Sequence, residues 1–242
     1  MQLTDKQLMK ACCRALYLWE FGDDNVNPKY RLSDKELLQY YGGIWTRAIK
    51  HNKQVKYKNP TIRKLIESCK VWKSQIKNPK LPNISFFLND PLVRGKYLKA
   101  LTNPLKQRVR WQYGADFTTE LSKELNASKG SKSYVKGYGN QRAFASRILF
   151  FAMPQIHCYN YTSPLLRRLE CHCGLADNKV ETVFSLMNDL FVLHEKKLRA
   201  LPHPKFSEAN GLAKVIREGD WWERRVLDLA VLQNWKCFCI SK

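Results

Sequence analysis

The side chains with the most chemistry to offer cluster between Lys136 and Leu169, in the run KGYGNQRAFASRILFFAMPQIHCYNYTSPLLRRL. Gly137-Tyr138-Gly139 reads as a tight turn. Tyr138 stands at its tip, where burial is hard to arrange and stacking on a base is open to it. An apolar run follows and stops at Pro154. A polar loop then presents Tyr159, Asn160 and Tyr161 before Pro164 opens another helix. The Asn160 amide can donate and accept hydrogen bonds but cannot act as a base.

Other candidates carry less. His157-Cys158 has no neighbouring acid to complete a thiol-protease arrangement, so packing is expected there. Cys171-His172-Cys173 and Cys237-Phe238-Cys239 have CxC spacing. Tetrahedral zinc favours a CxxC spacing at its short pairs. Free thiols, no metal and no cofactor are therefore expected. Asp220, Glu223 and Asp228 lie in one C-terminal stretch. They are expected to cap and pair internally rather than to supply a carboxylate to Asn160. Trp221 beside Arg224 or Arg225 suggests a cation–π surface.

The charge balance selects the partner. With 42 Lys+Arg against 21 Asp+Glu, the chain carries a formal +21. A surplus of that size repels itself in a compact monomer and points to a polyanion, nucleic acid first and an anionic membrane surface second. Lys50 to Lys80 contains ten basic residues and one acid, Glu67, and also fits a solvated helix face. Lys129, Lys132, Lys136 and Arg142 flank the glycine turn with no acid among them, which fits a backbone-tracking phosphate loop better. Trp111, Tyr113, Tyr134 and Tyr138 interleave with these charges.

At 242 residues, 44% hydrophobic and 12% aromatic, the chain can bury a sizeable core. The longest apolar run, Ile148 to Met153, is far short of the ~20 residues that span a bilayer. The start, MQLTDKQLMKACC, lacks the order of a signal peptide, so a cytoplasmic location with reduced cysteines is expected.

These residues must be positioned by helices. Leu8, Cys12, Ala15, Leu16 and Trp19 recur at helical period over Leu3 to Trp19. Ser33 with Glu36 forms a capping box opening a helix toward Ile49. Asn59-Pro60, Asp90-Pro91 and Asn103-Pro104 are further start signals, the second running toward Leu101. Asp116 to Leu125 also reads as helix, and later helices are expected at about 140–153, 163–173, 178–199, 207–217 and 219–235. Ile84 to Leu88 is the best strand candidate. The expected fold is mostly α, with an N-terminal helical lobe over 1–105, a second lobe over 106–242 and a cleft between them.

The stretch from Gly137 to Leu169 resembles the helix-hairpin-helix DNA glycosylase superfamily, in its 8-oxoguanine-glycosylase-like form found in small prokaryotic proteins. Over about residues 130–235, the resemblance implies that Gly137-Tyr138-Gly139 is the phosphate-binding hairpin. It implies DNA contacts from Gly137, Tyr138, Gly139, Lys129, Lys132, Lys136, Gln141, Arg142, Arg167 and Arg168, and a base pocket from Tyr159, Tyr161 and Trp221. Bifunctional members attack the sugar with a lysine two residues past the second hairpin glycine. Here that residue is Gln141, which implies a monofunctional enzyme. The essential aspartate of the superfamily falls at or next to Asn160. The expected activity is excision of a flipped modified base from duplex DNA by a monomer, leaving an abasic site. A hypermodified, for example glucosylated, cytosine in phage DNA and a role in antiviral defence fit such a protein. The competing class is a non-catalytic DNA-binding protein that keeps the fold, and a third is an RNA- or membrane-surface binder driven by charge.

Overall fold

The computed structural model describes residues 2–55, 82–103, 108–127, 141–206 and 211–232. They are predominantly α-helical, and no strand occurs among the described residues. The helices are α1 (Asp5–Phe21), α2 (Asp34–Leu37), α3 (Gly43–Lys50), α4 (Pro82–Asn89), α5 (Pro91–Thr102), α6 (Arg110–Ala127), α7 (Gln141–Ala152), α8 (Ser163–Cys173), α9 (Val180–Arg199), α10 (Leu212–Glu218) and α11 (Trp221–Leu232). A 3-10 turn, Pro28–Tyr30, precedes α2, and a π-helical segment, Leu38–Gly42, joins α2 to α3.

Local chemistry sets most boundaries. Thr4 and Gln7 form a capping box at α1. Ser33 Oγ accepts from Glu36 N at 3.2 Å while Glu36 Oε2 accepts from Ser33 N at 2.8 Å. Asp90 Oδ1 accepts from the backbone N–H groups of Leu92 and Val93, at 2.7 and 3.3 Å, and Pro91 occupies the first turn. Such N-caps satisfy donors that the helix itself cannot. Gly174, at φ +64, closes α8 in the left-handed conformation that glycine adopts without a steric cost.

The strand expected at Ile84 to Leu88 is instead part of α4. Ile84, Phe87 and Leu88 are buried while Phe86 is 76% exposed, an i, i+3, i+4 stripe rather than an alternation. The helix expected at 116–125 is longer and begins at Arg110. Of the helix expected at 207–217, residues 207–210 are outside the described residues and α10 starts at Leu212. The Asn59-Pro60 start and Pro104 also lie outside the described residues, and Asn103 closes α5.

One connected core runs from Leu3 to Val231, across the boundary expected near residue 105. Helix α1 packs along α11, while α6 packs along both α7 and α9. Trp19 meets Trp222 edge-on at 6.3 Å, Phe206 edge-on at 5.2 Å and Trp221 at 6.3 Å. The backbone N–H of Leu3 donates to His194 Nε2 at 3.2 Å, so the first residues are tied to α9 as well.

Helix α7 lies at the centre. Phe144, Ala145, Ser146, Ile148, Leu149, Phe150, Phe151 and Ala152 are all buried. Its exposed and half-exposed positions are Arg142, Ala143 and Arg147. The segment that follows, from Met153 to Tyr161, is buried at every residue although it is not helical. A buried irregular segment must find partners for its backbone polar groups. Those partners come from the helices that surround it.

Candidate functional site

Three glycines make room for this segment. A Cβ on Gly219 would lie 2.2 Å from Pro154 O, and one on Gly114 would lie 2.5 Å from His157 O. On Gly42 it would meet Phe151 O at 2.9 Å and Pro154 Cδ at 3.3 Å. The π-helical segment, α6 and the α10–α11 junction thus each contribute a glycine where the backbone comes closest.

Arg224, on α11, then binds the segment. Its side chain is fully buried, and its N–H groups donate to Pro154 O at 2.7 Å, Ile156 O at 2.9 Å and Cys158 O at 3.0 Å. Two further bonds, at 3.1 and 2.6 Å, reach Gly219 O. The planar guanidinium suits this task, since it fans five donors over a fixed geometry. Burial lowers its pKa from the ordinary arginine value. Gln155 adds a second tie, accepting from Tyr97 Oη at 2.9 Å and donating to Glu218 Oε2 at 2.7 Å. Ser146 Oγ accepts from Tyr161 N at 2.9 Å, and Thr162 caps α8.

Held in this way, Asn160 is only 3% exposed. Its Nδ2 donates to Asp228 Oδ2 in a short hydrogen bond, and its Oδ1 accepts from Arg147 at 3.3 Å. Asp228 is 1% exposed, and its Oδ1 has no hydrogen-bond partner among the described residues. Arg225 donates to Asp228 at 3.5 Å and to Asp34 at 2.6 Å. Burial raises the Asp228 pKa above the ordinary carboxylate value, against the opposing pull of Arg225, Arg147 and the Asn160 hydrogen bond. Arg147 is half-exposed and crosses the Phe151 ring at 4.9 Å, so the amide oxygen of Asn160 faces a cationic side chain.

The internal pairing expected of Asp220, Glu223 and Asp228 is formed with arginines at Asp220 and Asp228. Asp220, at φ +49, pairs through Oδ1 with Arg199 at 2.8 Å, and Glu223 lies 3.6 Å from His203. Asp228 pairs with Arg225, but it is also the one that reaches Asn160. Arg147 belongs to no sequence motif. Its position five residues past Arg142, on a mostly apolar helix, is the one signal that marks it.

The remaining candidates separate. Arg142 donates to Asn178 O at 3.1 Å and to Tyr161 Oη at 3.5 Å, and its guanidinium lies 5.9 Å from the Tyr161 ring. Gln141 is buried at the start of α7, Arg167 is exposed on α8 and Arg168 is half-buried. Tyr159 is fully buried with its ring edge-on to Phe184 at 5.5 Å, and Tyr161 is buried with its hydroxyl on Asn178 O. Trp221 is packed 5.0 Å from Phe150, donating to Phe150 O at 2.9 Å. A base pocket needs a ring face open to a cavity, and these three rings are core residues as they stand. The cation–π surface expected of Trp221 is likewise not formed, because Trp221 is inside the core and Arg225 instead crosses the Phe150 ring at 6.0 Å. Trp111 and Tyr113 are half-buried on α6, packed against the core. Gly137, Tyr138, Gly139, Lys129, Lys132, Lys136 and Tyr134 lie outside the described residues, as do Cys237, Cys239 and most of the 50–80 basic segment.

Cys158 is buried and its thiol is pushed up to about 12, which keeps it protonated and unreactive. Among the described residues no cluster of His, Cys, Asp and Glu is placed to hold a metal ion, and no helix is long and apolar enough to cross a membrane. An open cavity of about 510 Å³ is lined by Arg199, His203, Pro204, Phe206, Arg217 and Glu223.

His157 yields a pH prediction. Burial and the charges of Arg224, Arg110 and Arg199 hold its pKa well below the ordinary imidazole value of 6.5, although Asp220 Oδ2 lies 3.8 Å from Nε2. Desolvation outweighs that one carboxylate, which is itself shared with Arg199. Well above pH 6.5 the ring is neutral in both folded and unfolded chains and costs nothing. As pH falls below 6.5 the unfolded chain takes up the proton and the folded one does not, so stability is lost until the folded pKa is reached. Thermal unfolding at about pH 7.5 and about pH 5 should therefore show a smaller decline for His157→Leu than for the native chain. An equal decline in both removes His157 as a cause.

Comparison with known protein families, curated proteins and solved structures returns no match.

Proposed function

We propose that the protein is a monofunctional DNA glycosylase that excises a modified base from duplex DNA and leaves an abasic site. The observation that carries this reading is Asn160. It is fixed in a buried segment by a fully buried arginine and three close-approach glycines, with its carbonyl oxygen turned to a half-exposed arginine. A chain that spends this much structure on one loop is holding a side chain in place. Pre-organisation of that kind is what alignment of a water against a sugar carbon requires. DNA is held by the +21 charge and, in this reading, by the Gly137–Gly139 turn, and the target nucleotide leaves the stack. A phosphate competing for Arg147 draws it off Asn160 Oδ1, and that oxygen becomes free to accept from water. With Gln141 at the position where a bifunctional member has lysine, no Schiff base to the sugar forms.

The test uses phage DNAs that carry different base modifications, glucosylated hydroxymethylcytosine among them. Incubation with the protein followed by hot alkali should cleave at least one of them. Asn160→Ala should cut the rate by roughly 100-fold while leaving salt-sensitive DNA binding intact. Absence of alkali-labile sites on every DNA would falsify the proposal. A borohydride-trapped covalent complex would overturn its monofunctional character.

A second reading has its own observation. Asn160 is 3% exposed and both ends of its amide are already engaged by the protein. A non-catalytic DNA-binding protein would show that arrangement without any need to open it. Tight, salt-sensitive binding with no abasic product on any DNA selects this reading.

A further inference from the structure

We infer that Asp228 supplies the carboxylate of this site, acting from α11 through its hydrogen bond to Asn160. This rests on the glycosylase reading and adds to it a source of negative charge that the loop position itself does not carry.

The loop residue is an amide, and an amide cannot offset the positive charge that develops on a deoxyribose as its base departs. A carboxylate nearby can, and it does so most strongly where water is excluded. Asp228 is such a group. It is 1% exposed, one oxygen is bonded to Asn160 Nδ2, and the other has no partner among the described residues. Buried charges are ordinarily paired and hydrogen-bonded on both oxygens. A buried carboxylate with an idle oxygen, beside the residue the loop was built to hold, is costly if it serves the fold alone. Asn160 faces it from the loop, Arg147 from α7, Arg225 from its own helix, and Asp34 from α2 through Arg225. The two arginines oppose the burial that raises its pKa. Asn160 transmits its pull, because an amide whose N–H donates to a carboxylate has a more electron-rich carbonyl oxygen for water to bond to.

The reaction then balances without consuming the carboxylate. The C1′–N bond breaks with its electron pair on the base, and the C1′–O bond to water forms. The proton lost by that water is matched by the one the departing base gains. Asp228 contributes charge and orientation, so it is a positioning residue.

Exchange of the two side chains tests this. Asp228→Asn keeps shape and removes charge, and N160D/D228N restores one amide and one carboxylate with their places exchanged. Single-turnover excision would be measured on a modified duplex that the native chain cleaves, alongside DNA affinity and thermal midpoint. Asp228→Asn should lose at least about 100-fold in excision rate with DNA affinity unchanged, and the double exchange should recover at least about tenfold of that loss. The native chain should itself lose activity with decreasing pH at a point above the ordinary carboxylate range, a readout that needs no variant to fold. Excision by Asp228→Asn at the native rate overturns the inference, as does a native profile flat through that pH range. A native chain that makes no abasic sites on any DNA sinks the glycosylase reading and this inference with it. Native activity that survives Asp228→Asn sinks the carboxylate alone.

Discussion

Replacing Arg224 by methionine should destabilise the protein by about 3–5 kcal/mol. The guanidinium is fully buried and donates to the carbonyls of Pro154, Ile156, Cys158 and Gly219. Methionine fills much of the same volume but has no N–H to offer, so four buried carbonyls lose a donor at once. The surrounding helices stop water from replacing it, because every residue from Met153 to Tyr161 is buried. For a chain of this size the thermal midpoint should fall by roughly 10 °C. Lysine should not rescue it, since a single ammonium cannot spread over acceptors that the planar fork serves together. The measurement is calorimetric or dichroic unfolding of both variants at neutral pH. A midpoint within about 2 °C of the native one would show that the segment is held by packing rather than by Arg224.

Gly219→Ala should cost about 1–3 kcal/mol through overpacking rather than lost bonding. The added methyl would sit 2.2 Å from Pro154 O and 2.6 Å from Gln155 Cα. Both are backbone atoms, and Pro154 O is pinned by Arg224, so the neighbour cannot yield as a flexible side chain would. Backbone strain is not the cause, because Gly219 has φ −103, which alanine adopts freely. Gly114→Ala makes the same collision with His157 O at 2.5 Å and should cost a similar amount, whereas Gly95→Ala meets nothing within 4 Å and should be neutral or slightly stabilising. Since Gly219 and Arg224 act on the same carbonyl, the double variant G219A/R224M should be less destabilised than the two single losses added together. Full additivity in unfolding experiments would separate the glycine contact from the arginine clamp.

Much of the helical framework is legible from short-range chemistry. The Ser33–Glu36 box, the Asp90-Pro91 start and the Pro164 start near Thr162 each involve residues within one turn of one another. Such signals survive in any fold that keeps the helix. Ile84 to Leu88 misleads because five residues are too few for an apolar period to distinguish helix from strand. Its helical stripe becomes visible only when Ile84, Phe87 and Leu88 are seen to share a buried side. The burial of Trp221 is equally out of reach, because a tryptophan between charged residues has the same local pattern whether it faces solvent or Trp19.

For the candidate site, the residues alone determined that a proline-bounded segment carrying Asn160 would join two helices, and that the chain would be strongly basic; the burial of every residue from Met153 to Tyr161 they did not show. They also show that the segment from Met153 to Thr162 holds no acidic residue. Only the tertiary structure decided where a carboxylate is found. Asp228 lies 68 residues away along the chain and meets Asn160 because α11 packs into the same core as the loop that follows α7. Arg224 is four residues earlier on that helix and turns a buried, irregular segment into a satisfied one. Local spacing is set by covalent geometry and can be read from a sequence. A contact between distant segments is set by how helices pack, which depends on the whole core at once.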